Sequence, residues 1–152
     1  MANSYDLTTL KRHAYLVTYG ETVLGPLSDT PQIEADTDLQ DCLIYENGKE
    51  AVAQYLNKNQ ATVTVTTKNI AGAMALLKDF QKGDNVMDTA NRKPLTFTPI
   101  VEGEATEKTL VFGNACLQPG ISYVPASGED HTAKLVFRCL PDAETGVLFT
   151  YA

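Results

Sequence analysis

Residues 61–83 read ATVTVTTKNIAGAMALLKDFQKG, and the change of pattern within this stretch decides the fold class. In the first half, Val63 and Val65 alternate with threonines, which is the period of two that a half-buried β-strand shows. In the second half, apolar residues recur at three- and four-residue steps and form one stripe along a helix. These residues, which we expect to pack the helix on a sheet, are Ile70, Ala73, Met74, Leu77 and Phe80. The stretch therefore predicts a strand that leads directly into a short amphipathic helix.

The predicted helix covers residues 69–82. Asn69 is a suitable N-cap, because a short polar side chain can accept a hydrogen bond from the first turn of the backbone. Lys78 and Lys82 would lie in the last turn, where positive charge complements the helix dipole, and Gly83 would end the helix. A helix of about three turns is marginal by itself, so packing must hold it in place.

Most of the remaining chain has the pattern of β-strands separated by turn residues. The predicted strands cover residues 13–19, 21–24, 32–36, 41–46, 50–56, 95–101, 108–117, 120–125, 132–140 and 147–152. Asn47-Gly48 is the strongest hairpin signal and would join 41–46 to 50–56. Short strands at this spacing are typical of an antiparallel β-sandwich or barrel. We therefore predict a mainly β (α+β) fold with one short helix packed on it, as a single domain over residues 1–152.

The composition excludes two broad classes of protein. Hydrophobic residues make up 43% and charged residues 20% of the chain, which is unlike a disordered segment. The longest apolar or small run is IAGAMALL, well short of the roughly 20 residues of a membrane-spanning helix. The N-terminus shows no apolar core of a secretory signal, which favours synthesis in the cytosol. We therefore expect no membrane partner.

The charge is strongly acidic, with a net value of −7 and a pI of about 4.7. Proteins that grip nucleic acids normally present a basic face, because Lys and Arg displace the counterions of the phosphates. The excess of acidic over basic residues therefore argues against tight nucleic-acid binding. Acidic residues are densest between Glu21 and Glu50, where Lys49 is the single basic residue. An acidic stretch of this kind is usually a solvated surface.

The residues that carry catalysis or bind metals form no recognisable motif. No GxSxG sequence, P-loop or dinucleotide-binding glycine pattern occurs. DTDLQD at 36–41 begins like a calcium loop, but Gln40 and Asp41 stand where that loop needs an oxygen ligand and Gly. The two histidines, His13 and His131, each stand alone. We therefore expect no enzymatic activity, no metal and no cofactor.

The three cysteines, Cys42, Cys116 and Cys139, have no CxxC spacing. An odd number of cysteines in a chain without an export signal indicates reduced thiols, at least partly buried among the apolar residues around them.

The order of the elements resembles the major tail (tail tube) proteins of long-tailed bacteriophages, which are related to the tube proteins of type VI secretion and contractile injection machines. Two stretches carry the resemblance: ATVTVTTKNIAGAMALLKDF at 61–80 and KTLVFGNACLQPGISYVPASGEDHTAKLVFRCLPDAETGVLFTYA at 108–152. The first is similar to the strand and helix of that fold, and the second is similar to its C-terminal strands and turns. The turn-rich GPLSDTP at 25–31 departs from the pattern.

The resemblance implies a structural virion protein that forms hexameric rings, which stack into the tail tube. DNA would pass through the tube without tight binding, and the other partners would be tail proteins such as the tape measure and the terminator. The protein would be assembled in the host cytoplasm and located in the virion tail. That family has no catalytic residues. Contacts between stacked rings are expected in region 34–60, at Glu34, Asp36, Asp38, Asp41, Glu46, Asn47, Gly48, Lys49 and Glu50.

Two other functions fit the sequence. A tail terminator or head–tail joining protein would form a single ring and cap a tube. A monomeric β-sandwich binding module would instead hold a ligand with loops such as 25–31 or 125–131.

Overall fold

The computed structural model describes residues 14–100 and 108–152, and within them the chain forms nine strands and one α-helix. The helix, α1, spans Ile70–Leu77, and short 3₁₀ helices span Tyr45–Asn47 and Thr89–Asn91. The strands are β1 (Tyr15–Tyr19), β2 (Thr22–Val23), β3 (Gln32–Ile44), β4 (Glu50–Thr67), β5 (Arg92–Pro99), β6 (Leu110–Gln118), β7 (Tyr123–Val124), β8 (Thr132–Leu140) and β9 (Thr150–Tyr151).

The strands form one antiparallel sheet in the order β2-β1-β5-β6-β8-β4-β3. Two short strands lie off this path, since β7 pairs with β8 and β9 pairs with β6. The predicted fold class, mainly β and antiparallel with one short helix, is confirmed.

The sheet curls so that β1 and the segment after β2 approach β8 and β4. The rings of Tyr19 in β1 and Phe137 in β8 lie 4.7 Å apart between centroids, although β5 and β6 separate these strands in the sheet. The segment that follows β2 then runs along the end of β4, where the Ser28 N–H donates to the Thr66 carbonyl at 3.0 Å. A sheet that returns to itself in this way encloses a barrel-like interior.

Alternate side chains of the curled strands fill that interior. Val63 and Val65 of β4 face Leu135 and Phe137 of β8 across the ladder, and all four are fully buried. The threonines between the valines point to the other side of the sheet and are partly exposed, which is the alternation read from the sequence.

Helix α1 covers the core at the end of β4. The Asn69 side chain accepts a hydrogen bond from the Gly72 N–H at 3.2 Å, so Asn69 is the N-cap. Ala73 is buried. Five further helix-region side chains are partly buried and packed against the core: the predicted Ile70, Met74, Leu77 and Phe80, and also Leu76.

The helix ends at Leu77, so its predicted extension to residue 82 is wrong. Lys78 is the C-cap, no basic residue lies in the last turn, and Gly83 lies beyond the helix in a turn. The reason is a competing local bond, since the Gln81 N–H donates to the Asp84 carboxylate at 2.8 Å. A side chain that takes a backbone donor offers an alternative to the next helical hydrogen bond.

Strands β3 and β4 are longer than the predicted segments. The runs 32–36 and 41–46 belong mostly to one strand, and β4 joins 50–56 to 61–67 without a break. The pairing shifts by one residue between Asp38 and Leu39 and again between Cys42 and Leu43. Such bulges let strands with an irregular apolar pattern stay paired.

The predicted hairpin joins β3 to β4, but its turn is longer than two residues. Residues Tyr45–Asn47 form a 3₁₀ turn, and Gly48 and Lys49 follow with φ of 70° and 64°.

Cys116 and Cys139 are buried, Cys42 is half-buried, and all three are free thiols. In the part of the chain that the structure describes, no group of three or more His, Cys, Asp or Glu side chains is placed to hold a metal ion. No α-helix among the described residues has the length and apolar character needed to span a membrane.

Candidate interaction surface

The hairpin of β3 and β4 extends beyond the rest of the sheet. β4 pairs with β8 only from Ala61 to Thr67, and β3 is the last strand of the sheet order. Among the described strands, residues 36–44 and 50–60 therefore pair only with each other. We name residues 36–60 the arm.

Polar contacts across the two strands support the arm. Lys58 Nζ lies 2.9 Å from the Asp36 carboxylate, and the Gln54 side-chain amide donates to Asp41 at 2.7 Å. The Asn57 amide donates to Gln40 at 2.7 Å. Exposed pairs of this kind stabilise a structure by only about 0–1 kcal/mol each. An isolated two-stranded hairpin is marginal in water, so the arm depends on its attachment to the barrel.

The arm carries many large apolar side chains that are open to solvent. Tyr45 at the tip is 80% exposed, and Leu43 beside it is 58% exposed. The other exposed large apolar side chains of the arm are Leu39, Ile44, Val52, Tyr55 and Leu56. Single exposed apolar residues are ordinary on a protein surface, whereas clusters of them mark interaction sites.

The pairing register places part of this group on one face. Residues paired across an antiparallel ladder share a face, and faces alternate along each strand. Leu39 is opposite Leu56, and Leu43 is opposite Ala51. Before the arm, on the same face of β3, Ile33 is opposite the fully buried Val63. We name this face the apolar stripe; it consists of Ile33, Ala35, Leu39 and Leu43 of β3 with Ala51 and Leu56 of β4. The face of the core thus continues outside the barrel, with the polar pairs Thr37–Asn59 and Asp41–Gln54 between the apolar ones.

The acidic residues expected at an interface are distributed over the arm and its base. Glu34, Asp36 and Asp38 lie on the face opposite the apolar stripe, whereas Asp41 shares the face of the stripe. Glu46, Asn47, Gly48 and Lys49 form the turn, and Glu50 begins β4. Because β3 is an edge strand, these charges oppose unspecific pairing with other strands.

The sequence interpretation missed the apolar stripe. Ile33, Leu39 and Leu43 stand at even-numbered spacings within the acidic segment, but Thr37 and Asp41 interrupt the apolar alternation. Only the register with β4 shows that the leucines share a face with the barrel interior.

A groove of about 1040 Å³ lies at the base of the arm. Ile33 of the apolar stripe lines it together with Leu16 of β1, Val23 of β2 and Ile100 after β5, each of which is partly exposed. Its polar border includes Ser28, Asp29 and Thr30. Ile33 belongs to both, so the groove adjoins the inner end of the apolar stripe; farther out on this face, Thr37 separates Ala35 from Leu39, and Asp41 separates Leu39 from Leu43.

The buried titratable groups have structural roles. The Tyr19 hydroxyl lies 2.9 Å from the Ala115 carbonyl and 3.0 Å from the Asn91 carbonyl, and burial raises its pKa to about 12. Burial also raises the pKa of the Cys139 thiol to about 12. A buried thiol with a raised pKa is a poor nucleophile. The Tyr123 hydroxyl and His131 Nδ1 lie 2.5 Å apart in an exposed pair.

No family model and no curated protein matches the sequence. Among solved structures, the chain is similar to a chain of the cryo-EM structure of the anti-feeding prophage cap, described as a tube terminating cap. The TM-score is 0.56 at 13% sequence identity, and the match covers 100% of this chain and 94% of that chain. At this identity the likeness shows a shared fold.

Proposed function

We propose that this protein is a structural subunit of a phage-type or contractile-injection tail and that it associates with copies of itself. Two findings support the proposal. The fold is shared over the whole chain with a tube terminating cap. The arm also presents an apolar surface for which the described part of the chain offers no cover.

The exposed apolar stripe is the observation that carries the proposal. Each apolar side chain moved out of water contributes roughly 25 cal/mol per Å² buried, so covering several leucines and tyrosines on the arm favours association. Tyrosine-rich, apolar patches with a charged border are common at the centres of subunit interfaces. The acidic face of the arm keeps the free subunit from pairing indiscriminately before it assembles.

The assembly that we propose is a hexameric ring that stacks into a tail tube, with Glu34 at the base of the arm and the arm residues Asp36 to Glu50 in contact with the next ring. DNA would pass through the tube, and the net charge of −7 would limit its attraction to the wall. Tape-measure and terminator proteins would be the other partners, and the virion tail would be the location.

A second candidate is a terminator that caps the tube. The specific observation in its favour is that the similar solved structure is itself a tube terminating cap. A terminator would form one ring and stop, whereas a tube subunit would form stacked rings.

Mass measurement by light scattering over a range of concentrations, followed by negative-stain electron microscopy, tests the proposal. Stacked rings or tubes identify a tube subunit, and single rings identify a terminator. A protein that remains monomeric at the highest concentration contradicts both.

A measurement of DNA binding at low salt distinguishes a tube through which DNA passes from a protein that binds DNA tightly. The net charge of −7 predicts no tight binding, so a submicromolar affinity for double-stranded DNA would contradict the part of the proposal that concerns DNA.

A further inference from the structure

We propose that Arg92 and Arg138 form a binding site for a small oxyanion of the phosphate class on the outer face of the sheet, which is the face turned away from the barrel interior. The site lies on β5, β6 and β8, apart from the arm, and none of its residues lines the groove. The inference goes beyond the proposed function, because it requires no association between copies.

The pairing register places the two arginines on one face of the sheet, with one residue between them. Arg92 of β5 is opposite Cys116 of β6, and Cys116 is opposite Arg138 of β8. Residues that are directly paired in an antiparallel ladder share a face. Arg138 is also opposite Thr62, and the next residue, Val63, is buried in the interior, so this row lies on the outer face. Because neighbouring strands lie about 5 Å apart, the two arginine backbones are about 10 Å from each other.

Both guanidinium groups lie close to the thiol between them. Cys116 is fully buried although it belongs to the outer face, so surrounding side chains cover it. Burial raises the pKa of the Cys116 thiol, and the positive charges of Arg92 and Arg138 act in the opposite direction, which requires both charges to be near the sulfur. Two like charges beside one short side chain repel each other, and an anion between them would replace this repulsion with attraction.

Neither arginine is neutralised by a carboxylate within the part of the chain that the structure describes. The ion pairs there are both made by lysines, Lys58–Asp36 and Lys68–Asp130. The row of the two arginines continues to Glu34, but this exposed carboxylate lies on β3, two strands away from Arg138. Salt strongly weakens the attraction between exposed charges about 10 Å apart. The pair therefore keeps its positive charge for another anion.

The chemistry of the pair favours a phosphate-type ion over a single carboxylate. Each guanidinium presents planar N–H groups that bind oxyanions two at a time. Arg92 Nε donates to the Met87 carbonyl at 2.9 Å, which holds this side chain and leaves its terminal N–H groups for a ligand. A carboxylate has one charge and two oxygens, whereas a phosphate group carries more than one charge near neutral pH and offers oxygens to both arginines.

The charge of the whole protein favours a small ion as the source of the phosphate. DNA interacts with many surface charges at once, so the net value of −7 opposes its approach. A single ion responds mainly to the local field of the two half-buried arginines. We therefore expect free phosphate to bind at this pair and DNA not to bind there.

Isothermal titration calorimetry with inorganic phosphate tests the site, at an ionic strength kept constant with chloride. Arg92→Gln and Arg138→Gln each remove one guanidinium, and Arg138→Lys keeps the charge but loses the planar N–H groups. Lys134→Gln is the matched control, because Lys134 is exposed on the same strand and the same face as Arg138. Urea unfolding in phosphate-free buffer verifies that each variant is folded.

We expect the wild type to bind phosphate with 1:1 stoichiometry and Lys134→Gln to bind it with the same affinity. Losing one charge-assisted contact should weaken binding about tenfold or more in either glutamine variant. Arg138→Lys should have an intermediate affinity, because an ammonium group supplies the charge without the planar pair of donors. In NMR spectra, the Nε–H signals of Arg92 and Arg138 should shift when phosphate is added and stay unchanged with chloride.

Three results would overturn the inference. Unchanged Nε–H signals and no binding heat at millimolar phosphate would show that the pair holds no such anion. An equal loss of affinity in Lys134→Gln would show that phosphate responds to the general surface charge. A short DNA duplex that shifts the two arginine signals more strongly than phosphate does would contradict the assignment of a small ion. None of these results depends on self-association, so the proposed function is tested separately.

Discussion

The two halves of β4 differ in burial, because one half lies in the barrel and the other lies in the arm. From Ala61 to Thr67 every second side chain is buried, because β8 pairs with this half and the curled sheet closes over it. From Glu50 to Gln60 the same ladder with β3 continues, but every side chain is exposed or half-buried. Leucine and tyrosine occur in this outer half as they do in the barrel. Burial in this molecule is therefore set by what packs over a face and not by the residues on it.

This contrast predicts that different residues control the stability of the fold and its assembly. Side chains of the barrel should control the free energy of unfolding, and side chains of the arm should control association. Substitutions matched between the two regions can test the separation, because a change in the barrel should lower stability far more than its counterpart on the arm.

The largest effect is expected for Phe137→Ala. Phe137 is fully buried against Tyr19, so its removal leaves a cavity and should lower the free energy of unfolding by about 3–5 kcal/mol. Leu43→Ala on the arm should change it by less than about 0.5 kcal/mol. Urea unfolding of both variants measures the difference. Equal losses would show that the arm belongs to the cooperative core.

The next effect is expected for Thr67→Val at the junction of the barrel and the helix. The buried Thr67 hydroxyl bonds the Leu24 carbonyl and accepts the Asn69 N–H at 2.9 Å. Valine keeps the shape but leaves both backbone groups unpaired, which should cost about 1–3 kcal/mol of unfolding free energy. Thr37→Val, at an exposed position of the arm, is the matched control. A loss as small as that of the control would contradict the proposed role of the hydroxyl.

Alkaline pH should loosen the barrel through Tyr19. Its pKa is raised from 10.0 to about 12 by burial, so the folded protein favours the neutral phenol. The resulting stability is fully present below pH 10 and is lost as the pH rises from 10 towards 12. Urea midpoints measured across this range should fall less steeply in Tyr19→Phe than in the wild type. Tyr45→Phe at the exposed tip of the arm serves as control and should keep the wild-type slope.

The smallest effect is expected in the exposed turn after β8. The Asp142 carboxylate accepts the N–H groups of Thr145 at 3.0 Å and Glu144 at 2.8 Å, and these bonds lower its pKa from 3.8. The stabilisation is present above pH 3.8 and is lost as the pH falls through the lower pKa of the folded state. Urea midpoints at pH 6 and pH 3 should fall slightly further in the wild type than in Asp142→Asn, which keeps the acceptor oxygen. An identical pH dependence would show that the turn contributes nothing.

Local pattern predicted those elements whose signals lie within a few neighbouring residues. The alternation around Val63 and Val65, the N-cap at Asn69 and the hairpin at Asn47-Gly48 all depend on such short-range chemistry. The predicted end of the helix was wrong because the hydrogen bond from the Gln81 N–H to the Asp84 carboxylate competes with one more helical turn. Nothing in the apolar spacing of residues 70–80 reveals that competition.

The sequence by itself determined a mainly β chain, a helix that follows the valine and threonine strand, and an acidic segment ahead of it. Only the tertiary structure decided that this segment is an arm, that its leucines share a face with the core, and that a groove opens at its base. The physical reason is the distance along the chain between the residues that interact. Strand and helix signals depend on neighbours a few residues apart, whereas a face becomes core or surface through strands far away in the chain. Val63 is buried by residues near 135, whereas Leu43 is exposed because, among the described strands, only β4 lies beside it and none packs over its face.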